Sequence, residues 1–348
     1  MHMADALLSP AVGTTLWAGS AALGGYASKK LNQQLDDRLI PLMGVLGAFI
    51  FAAQMINFTI PGTGSSGHLG GGLILAILLG PHAAFLVMAS VLTVQALFFA
   101  DGGLLALGCN VWNLGFYSCY LVYPLLYRPL AGGKGQPGRI LLASLVAAVA
   151  SLQLGAFSVV LETLLSGKSE LPFSAFVLLM QPIHLAIGIV EGIVTAGVIV
   201  YVQGARPELL ESMAASRALA PGISLRKVMI TFGVLVIVTG GALSWFASTH
   251  PDGLEWSIEK VTGKGELPEA EGGITAALRG IQEKTAFLPD YNFRPSETAP
   301  EAGEPAPAWP GIDKGTSTAG LTGGLIVLGL VGFIGAGIRF FRRGNPRG

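Results

Sequence analysis

A chain of 348 residues that is 51% hydrophobic and 12% charged, with a mean hydropathy of +0.61, carries far more apolar surface than a water-soluble domain of that length needs. It is expected to live in a bilayer. Its 21 basic and 21 acidic residues cancel, so the whole chain attracts no polyanion and no nucleic-acid patch is expected.

The first apolar run, from about Ser9 to Ala27, ends at Lys29-Lys30 and has no Lys or Arg before it. A cleaved signal peptide would carry its positive charge at the other end, so a retained span with its N-terminus outside is expected. The polar stretch from Leu31 to Arg38 then lies in the cytoplasm, and a second span from about Ile40 to Ile56 returns outward. Asn57 to His68 is an external loop too Gly-rich for a helix. Leu69 to Leu79 is apolar but only about half a span long, and Gly80-Pro81 breaks it before Ala83 to Ala100 continues. A short helix and a full one, meeting near the cytoplasmic side, return Asp101-Gly102-Gly103 to the outside, level with His68.

Leu104 to Tyr127 goes inward and is followed by Arg128, Lys134 and Arg139, as the positive-inside rule asks. Ile140 to about Leu165 returns outward, and Ser174 to Val202 goes in again, ending at a polar segment with Arg206, Arg217, Arg226 and Lys227. Lys227 to Ala247 crosses outward, and Ser248 to Thr318, with 12 Asp or Glu against 6 Lys or Arg, belongs outside. A last span, about Ala319 to Gly337, ends at Arg339, Arg342, Arg343 and Arg347. The expected fold is therefore an all-α integral membrane protein, multi-pass in the cell (inner) membrane: about seven inserted helices, then two further transmembrane helices flanking an extracytoplasmic loop. The N-terminus is expected outside and the C-terminus in the cytoplasm. The expected division is a membrane domain over 1–205, a cytoplasmic linker over 206–226 and a two-helix module over 227–348 with its extracytoplasmic segment at 248–318.

Ionisable groups inside such a scaffold are expensive in hydrocarbon and are functional candidates by default. His184 and Glu191, seven residues apart, share one helix face near its outer half; His184 either packs the bundle or orients a metal ligand. His82 follows Pro81 at the inner turn and reads as structural, while His250 lies outside, facing solvent or the site. Cys109 and Cys119 have no CxxC spacing and read as small buried thiols. Pairs of alanines four apart, Ala18 with Ala22 and Ala48 with Ala52, let helices approach closely; they serve either docking to a partner protein or packing within the chain.

The N-terminus, Met1-His2-Met3, offers a donor set no internal histidine has. A free α-amine, the His2 amide and the His2 imidazole close two fused chelate rings on one metal ion, and planar nitrogen donors suit Ni(II) or Cu(II) and, less distinctively, Co(II). Mg²⁺ and Ca²⁺ prefer oxygen. The Gly-rich run Gly62 to His68, with Gly70, Gly71 and Gly72 behind it, strengthens this reading over a frayed end.

MHMADALLSP at the start, PGTGSSGHLGGG at 61–72, FFADGGLLALGCNVWNLG at 98–115 and QPIHLAIGIVEG at 181–192 resemble the substrate-binding membrane subunit of cobalt/nickel energy-coupling-factor (ECF) transporters, the CbiM/NikM family, over Met1 to about Gln203. PDGLEW at 251–256, LPDYNF at 288–293 and the terminal apolar span resemble the small accessory subunit, CbiN/NikN or PDGLE-type. The resemblance implies an S-component-like helical bundle that binds Ni²⁺ or Co²⁺ as transported substrate, with no permanent cofactor. It implies ligands from the Met1 amine, the His2 amide and imidazole, and His68. Asp101, Asn110, His184 and Glu191 are then candidates for orienting the imidazoles. It also implies partners: a transmembrane coupling (T) protein and two cytoplasmic ABC ATPases. The chain itself has no Walker A motif and is expected to be a transporter subunit, not an enzyme. The competing classes are an intramembrane metalloenzyme, for which no HExxH is present, and a stand-alone metal channel or secondary carrier, for which matching halves with broken helices are expected.

Overall fold

Proline in first turns and glycine at the breaks set the helix boundaries. The structure is a computed structural model that describes residues 2–34, 36–132, 136–168, 171–219, 221–265, 267–268, 272–294 and 310–344. Helix α1 (Pro10–Gln34) opens on Pro10, and Ser9 Oγ accepts the Val12 N–H at 3.3 Å. After α2 (Leu39–Gln54), the Gly-rich loop folds as a small antiparallel ribbon, β1 (Phe58–Ile60) and β2 (Ser65–Gly67), with Thr59 opposite Ser66. The break expected at Gly80 is there. Its backbone turns to φ 78°, ψ 163°, ending α3 (Gly72–Leu79), and Pro81 opens α4 (Pro81–Phe99). Eight residues rise only about 12 Å, too little to cross hydrocarbon about 30 Å thick. All eight α3 residues are buried, so protein, not lipid, surrounds the short helix.

A helical rod over 107–131 comes next, built from α5 (Leu107–Val111), a π-helical stretch Trp112–Tyr127 and α6 (Arg128–Ala131). The wide π turns contain Pro124, which has no N–H to place in a helical ladder. Helices α7 (Pro137–Ser166) and α8 (Phe173–Ala205) pair as a hairpin. A Cβ at Gly188 or Gly192 would come within 2.8 or 2.6 Å of the Val149 or Leu145 Cα, so small residues set this crossing. Leu178, Leu185, Ile189 and Ile193 project outward from α8 and Leu141 and Leu154 from α7, as a lipid-facing surface requires. Among the described residues α4, α7, α8 and α13 (Lys314–Gly344) are long and apolar enough to span a membrane.

The stretch expected to be a plain linker holds an amphipathic helix, α9 (Pro207–Ala214), with Leu209 and Met213 buried. The rest of the chain comprises α10 (Arg226–Gly241), α11 (Gly253–Thr262), α12 (Gly273–Thr285) and α13. Helices α10 and α13 pack on α2. Gly44 sits 3.2 Å, at Cβ, from the Leu328 carbonyl, Gly324 faces the Ala48 Cβ at 3.8 Å, and Phe49 meets Phe232 edge-on at 5.1 Å. Ala48 and Ala52 are thereby covered within the chain, so of the two readings offered for that pair, internal packing is the one realised. Asp37, before α2, holds Arg339 at 2.9 Å and Arg342 at 2.6 Å from α13, tying together two stretches placed in the cytoplasm on charge alone. At the other end of α2, four stretches expected outside meet: residues 2–8, the ribbon loop, the 101–106 loop and the segment after Ser248.

Candidate metal centre

The N-terminal strap is fixed by backbone contacts. Asn110 Oδ1 accepts the Met3 N–H at 2.8 Å and Asn110 Nδ2 donates back to the Met3 carbonyl at 3.3 Å, while the Gly103 N–H donates to the same carbonyl at 2.9 Å. Two residues on, Asp5 accepts the Ala106 N–H at 2.9 Å. A Cβ at Gly103 would lie 1.8 Å from Asp5 Oδ1, so only glycine admits the strap here. Met3 is fully buried. The strap carries His2 inward and stacks it on His68, ring centroids 5.0 Å apart and planes 15° from parallel.

Both rings are covered, and burial lowers both imidazole pKa values to about 3, so they are neutral. His68 Nδ1–H donates to the Leu69 carbonyl at 3.0 Å, which puts the lone pair on Nε2. His2 Nδ1 lies 3.2 Å from Asp101 Oδ1, and its Nε2 is buried with no hydrogen-bond partner among the described residues. Behind His68, both Glu191 oxygens accept backbone N–H groups, Gly70 at 2.7 Å and Gly71 at 3.0 Å. Glu191 is thus a buried carboxylate satisfied by the start of α3 and fixes the exit of the His68 loop.

A cavity of about 630 Å³ opens over this pair, lined by His2, His68, Asp101, Asp252, Leu254 and Tyr291 among others. The last three come from the acidic outer segment. Asp252 caps α11 in a reciprocal capping box with Glu255, and Ser66 of β2 bonds the preceding carbonyls, Pro251 through its N–H and His250 through its hydroxyl, both at 2.8 Å. Gly253 approaches so closely that a Cβ would meet Ile183 at 2.6 Å. Gln282 of α12 donates to the Ala96 and Gly102 carbonyls, each at 2.8 Å. Tyr291 stacks on Phe99 at 5.1 Å and its hydroxyl donates to Asp101.

Of the residues singled out in the sequence, His2, His68 and Asp101 form one cluster. His184 shares a small second cavity with His68 and Gly253 and gives its Nδ1–H to the Met180 carbonyl at 2.8 Å. Asn110 holds the Met3 backbone and no imidazole, and Glu191 holds the loop backbone. His82 bonds the Tyr120 hydroxyl at 2.9 Å at the far end of α4, and His250 is exposed beside Ser248. Met1 and residues 295–309 lie outside the described residues. Among the described residues, no three His, Cys, Asp or Glu side chains gather with metal-holding geometry. Side chains here supply the two neutral imidazoles of His2 and His68. The groups sequence reasoning missed are Tyr291, Asp252 and two intramembrane glutamines, Gln54 and Gln95, both buried.

Residues 2–209 match the family described as the cobalt uptake substrate-specific transmembrane region, CbiM, and residues 226–340 match the PDGLE domain. The fused nickel transport protein NikMN of Rhodobacter capsulatus is 32% identical over 315 residues, 84% of this chain and 88% of that one. A protein of Archaeoglobus fulgidus with the same NikMN layout is 33% identical over 335 residues, 95% of this chain and 96% of that one. The crystal structure of a transition metal transporter superposes with a TM-score of 0.52 at 31% identity, covering 62% of this chain and 98% of the other.

Proposed function

Because the chain belongs to the CbiM family of cobalt-uptake substrate-specific transmembrane proteins and carries a PDGLE domain fused behind it, we propose that this membrane component of cobalt or nickel transport is the substrate-capturing subunit of an ECF-type importer. It takes Ni²⁺ or Co²⁺ from outside the cell, with its N-terminus outside and its C-terminus in the cytoplasm. A transmembrane coupling protein and two ABC ATPases, separate chains, drive uptake. The observation that carries the reading is the pair of stacked, buried, neutral imidazoles of His2 and His68 under a cavity whose wall includes Asp101 and Asp252. Carboxylates at the mouth concentrate divalent cations, and neutral imidazoles keep their lone pairs for a metal.

The proposed ligands are the Met1 amine, the His2 amide and imidazole, and His68. A planar nitrogen set makes loss of the amide proton favourable for Ni(II), and the fused layout is the one carried by the NikMN relative; both favour nickel over cobalt. The PDGLE segment covers the cavity through Leu254 and Tyr291 and is proposed to assist loading or occlusion.

The test is bound metal per protein for chains freed to start at Met1 against chains carrying one extra residue. An extension turns the amine into an amide and changes the chelate rings while keeping every side chain. High-affinity Ni²⁺ binding is expected only in the first; equal occupancy in both would refute the amine ligand and the core of the reading.

A further inference from the structure

Helix α12 and the residues after it grip one turn of the membrane domain, the turn that carries Asp101. Gln282 Nε2 donates to the Ala96 and Gly102 carbonyls at 2.8 Å each, the Leu288 N–H to the Phe98 carbonyl at 3.3 Å, and the Tyr291 hydroxyl to Asp101 Oδ2. The Tyr291 ring is seated by stacking on Phe99 at 5.1 Å and meeting Phe51 edge-on at 6.1 Å. Both sides of this contact hold unfavourable backbone. Among the described residues four non-glycine residues have positive φ, and three of them lie here: Ala100 at 56°, Asp290 at 50° and Tyr291 at 58°. A left-handed backbone is unfavourable for a residue with a Cβ and persists only where surrounding contacts over-determine it, which is why such strain gathers at clamps and switches. The grip on the Asp101 turn is held shut by its contacts and relaxes when they part.

Asp101 is where this grip meets the metal centre. While its Oδ2 accepts the tyrosine, its Oδ1 lies 3.2 Å from His2 Nδ1. The next residue, Gly102, backs onto the same histidine, since a Cβ there would lie 3.3 Å from the His2 Cβ. Nδ1 is the ring nitrogen that closes a six-membered chelate with the His2 amide, so the carboxylate stands over the nitrogen a chelated metal needs. The His2 side chain is only 5% exposed although the cavity lies beside it.

We propose that Tyr291 and Asp101 form the gate of the metal site: the Tyr291 hydroxyl holds the Asp101 carboxylate across the His2 ring, and a metal ion enters or leaves only while that pair is parted. Tyr291 is a positioning residue that acts through Asp101 and does not touch the metal. The inference rests on the function proposed above and gives the PDGLE segment a defined part in it, control of the rate of metal exchange with the outside.

The experiment uses the full chain with a native Met1 and Ni²⁺ as the probe: stopped-flow association at rising Ni²⁺, and dissociation into excess chelator. A gate makes wild-type association level off at high Ni²⁺, because opening becomes limiting; an ungated site gives rates that rise in proportion to concentration throughout. Tyr291→Phe keeps the ring on Phe99 and removes only the hydroxyl. It is expected to raise the association plateau and the dissociation rate together by about 10- to 100-fold, the weight of one hydrogen bond to a charged acceptor. A hydroxyl that merely supported the structure of the bound state would change dissociation alone. Proportional association in the wild type would overturn the inference, as would unchanged rates in Tyr291→Phe or acceleration of only one of the two. Should the variant fail to fold, the wild-type concentration dependence decides alone. Failure of the wild type to bind Ni²⁺ at all overturns the proposed function and this inference with it; ungated binding overturns only the inference.

Discussion

The two ends of the bundle use histidine in opposite ways. At one end His82, half-buried, shares a hydrogen bond with Tyr120 through its Nδ1 at 2.9 Å and packs edge-on against Tyr26 at 5.5 Å in an aromatic cluster. At the other, His2 and His68 are stacked, buried and neutral, and His2 Nε2 has no hydrogen-bond partner among the described residues. A covered imidazole normally has its polar atoms satisfied, because an unmade buried hydrogen bond costs about 1–3 kcal/mol. The difference separates a packing histidine from one positioned for chemistry. The sharpest way to break the comparison is to remove each ring: His2→Ala and His68→Ala are each expected to abolish high-affinity Ni²⁺ or Co²⁺ binding, and His82→Ala to leave it intact, read as bound metal per protein. Equal effects at both ends would erase the distinction.

Much of that contrast was legible in the sequence, for reasons that differ by residue. Gly80-Pro81 announced the half-length α3 because no helix continues through that pair, and the basic loops placed His82 at the opposite end from His2 and His68. His2 and His68 stood out by motif. Asn110 was singled out as a candidate for orienting an imidazole, and nothing local says that it grips the Met3 backbone instead, from more than a hundred residues away. Gln54 and Gln95 escaped because the search was for ionisable groups, although an amide in spans as apolar as α2 and α4 carries the same unsatisfied-polar penalty. Asp252 and Glu255 had a readable capping-box spacing that went unused. Tyr291 reaches Asp101 only through the fold of the outer segment, which no periodicity specifies.

The strap is the next place to test the comparison, because its contacts at Met3 and Asp5 position His2 without involving any of the proposed ligand atoms. Asn110→Ala removes both side-chain bonds to Met3, and Gly103→Ala drives a Cβ into Asp5. Each is expected to weaken metal binding by about 10- to 100-fold while leaving the chain folded, measured by competition with a chromophoric chelator. Wild-type affinity in both would mean that the strap does not set the His2 geometry. A smaller effect is expected from the cover. Deleting Leu254 to Phe293 removes Leu254 and Tyr291 from the cavity wall and should leave equilibrium binding largely intact while slowing metal uptake in vesicles containing the partner proteins; unchanged uptake would exclude a loading role for the segment.

The smallest expected effect is a proton count, and its sign follows from the lowered imidazole pKa values of about 3 for His2 and His68. An unfolded histidine titrates near 6.5, so between pH 6.5 and 3 the unfolded chain binds more protons than the folded one. The stability these two rings contribute is therefore fully present above pH 6.5 and is lost as pH falls toward 3. Metal binding reports the same fact from the folded side. A metal displacing protons from the Met1 amine and the His2 amide releases about two, and neutral imidazoles add none. Imidazoles with ordinary pKa values would raise the release toward about four below pH 6.5. Calorimetry of Ni²⁺ binding at pH 7 and 5.5, in buffers of different ionisation heat, measures the release directly. A count that stays near two at both pH values is expected; a rise beyond about three at pH 5.5 would mean that His2 and His68 titrate as exposed histidines do, and that the burial separating them from His82 does not hold their lone pairs ready.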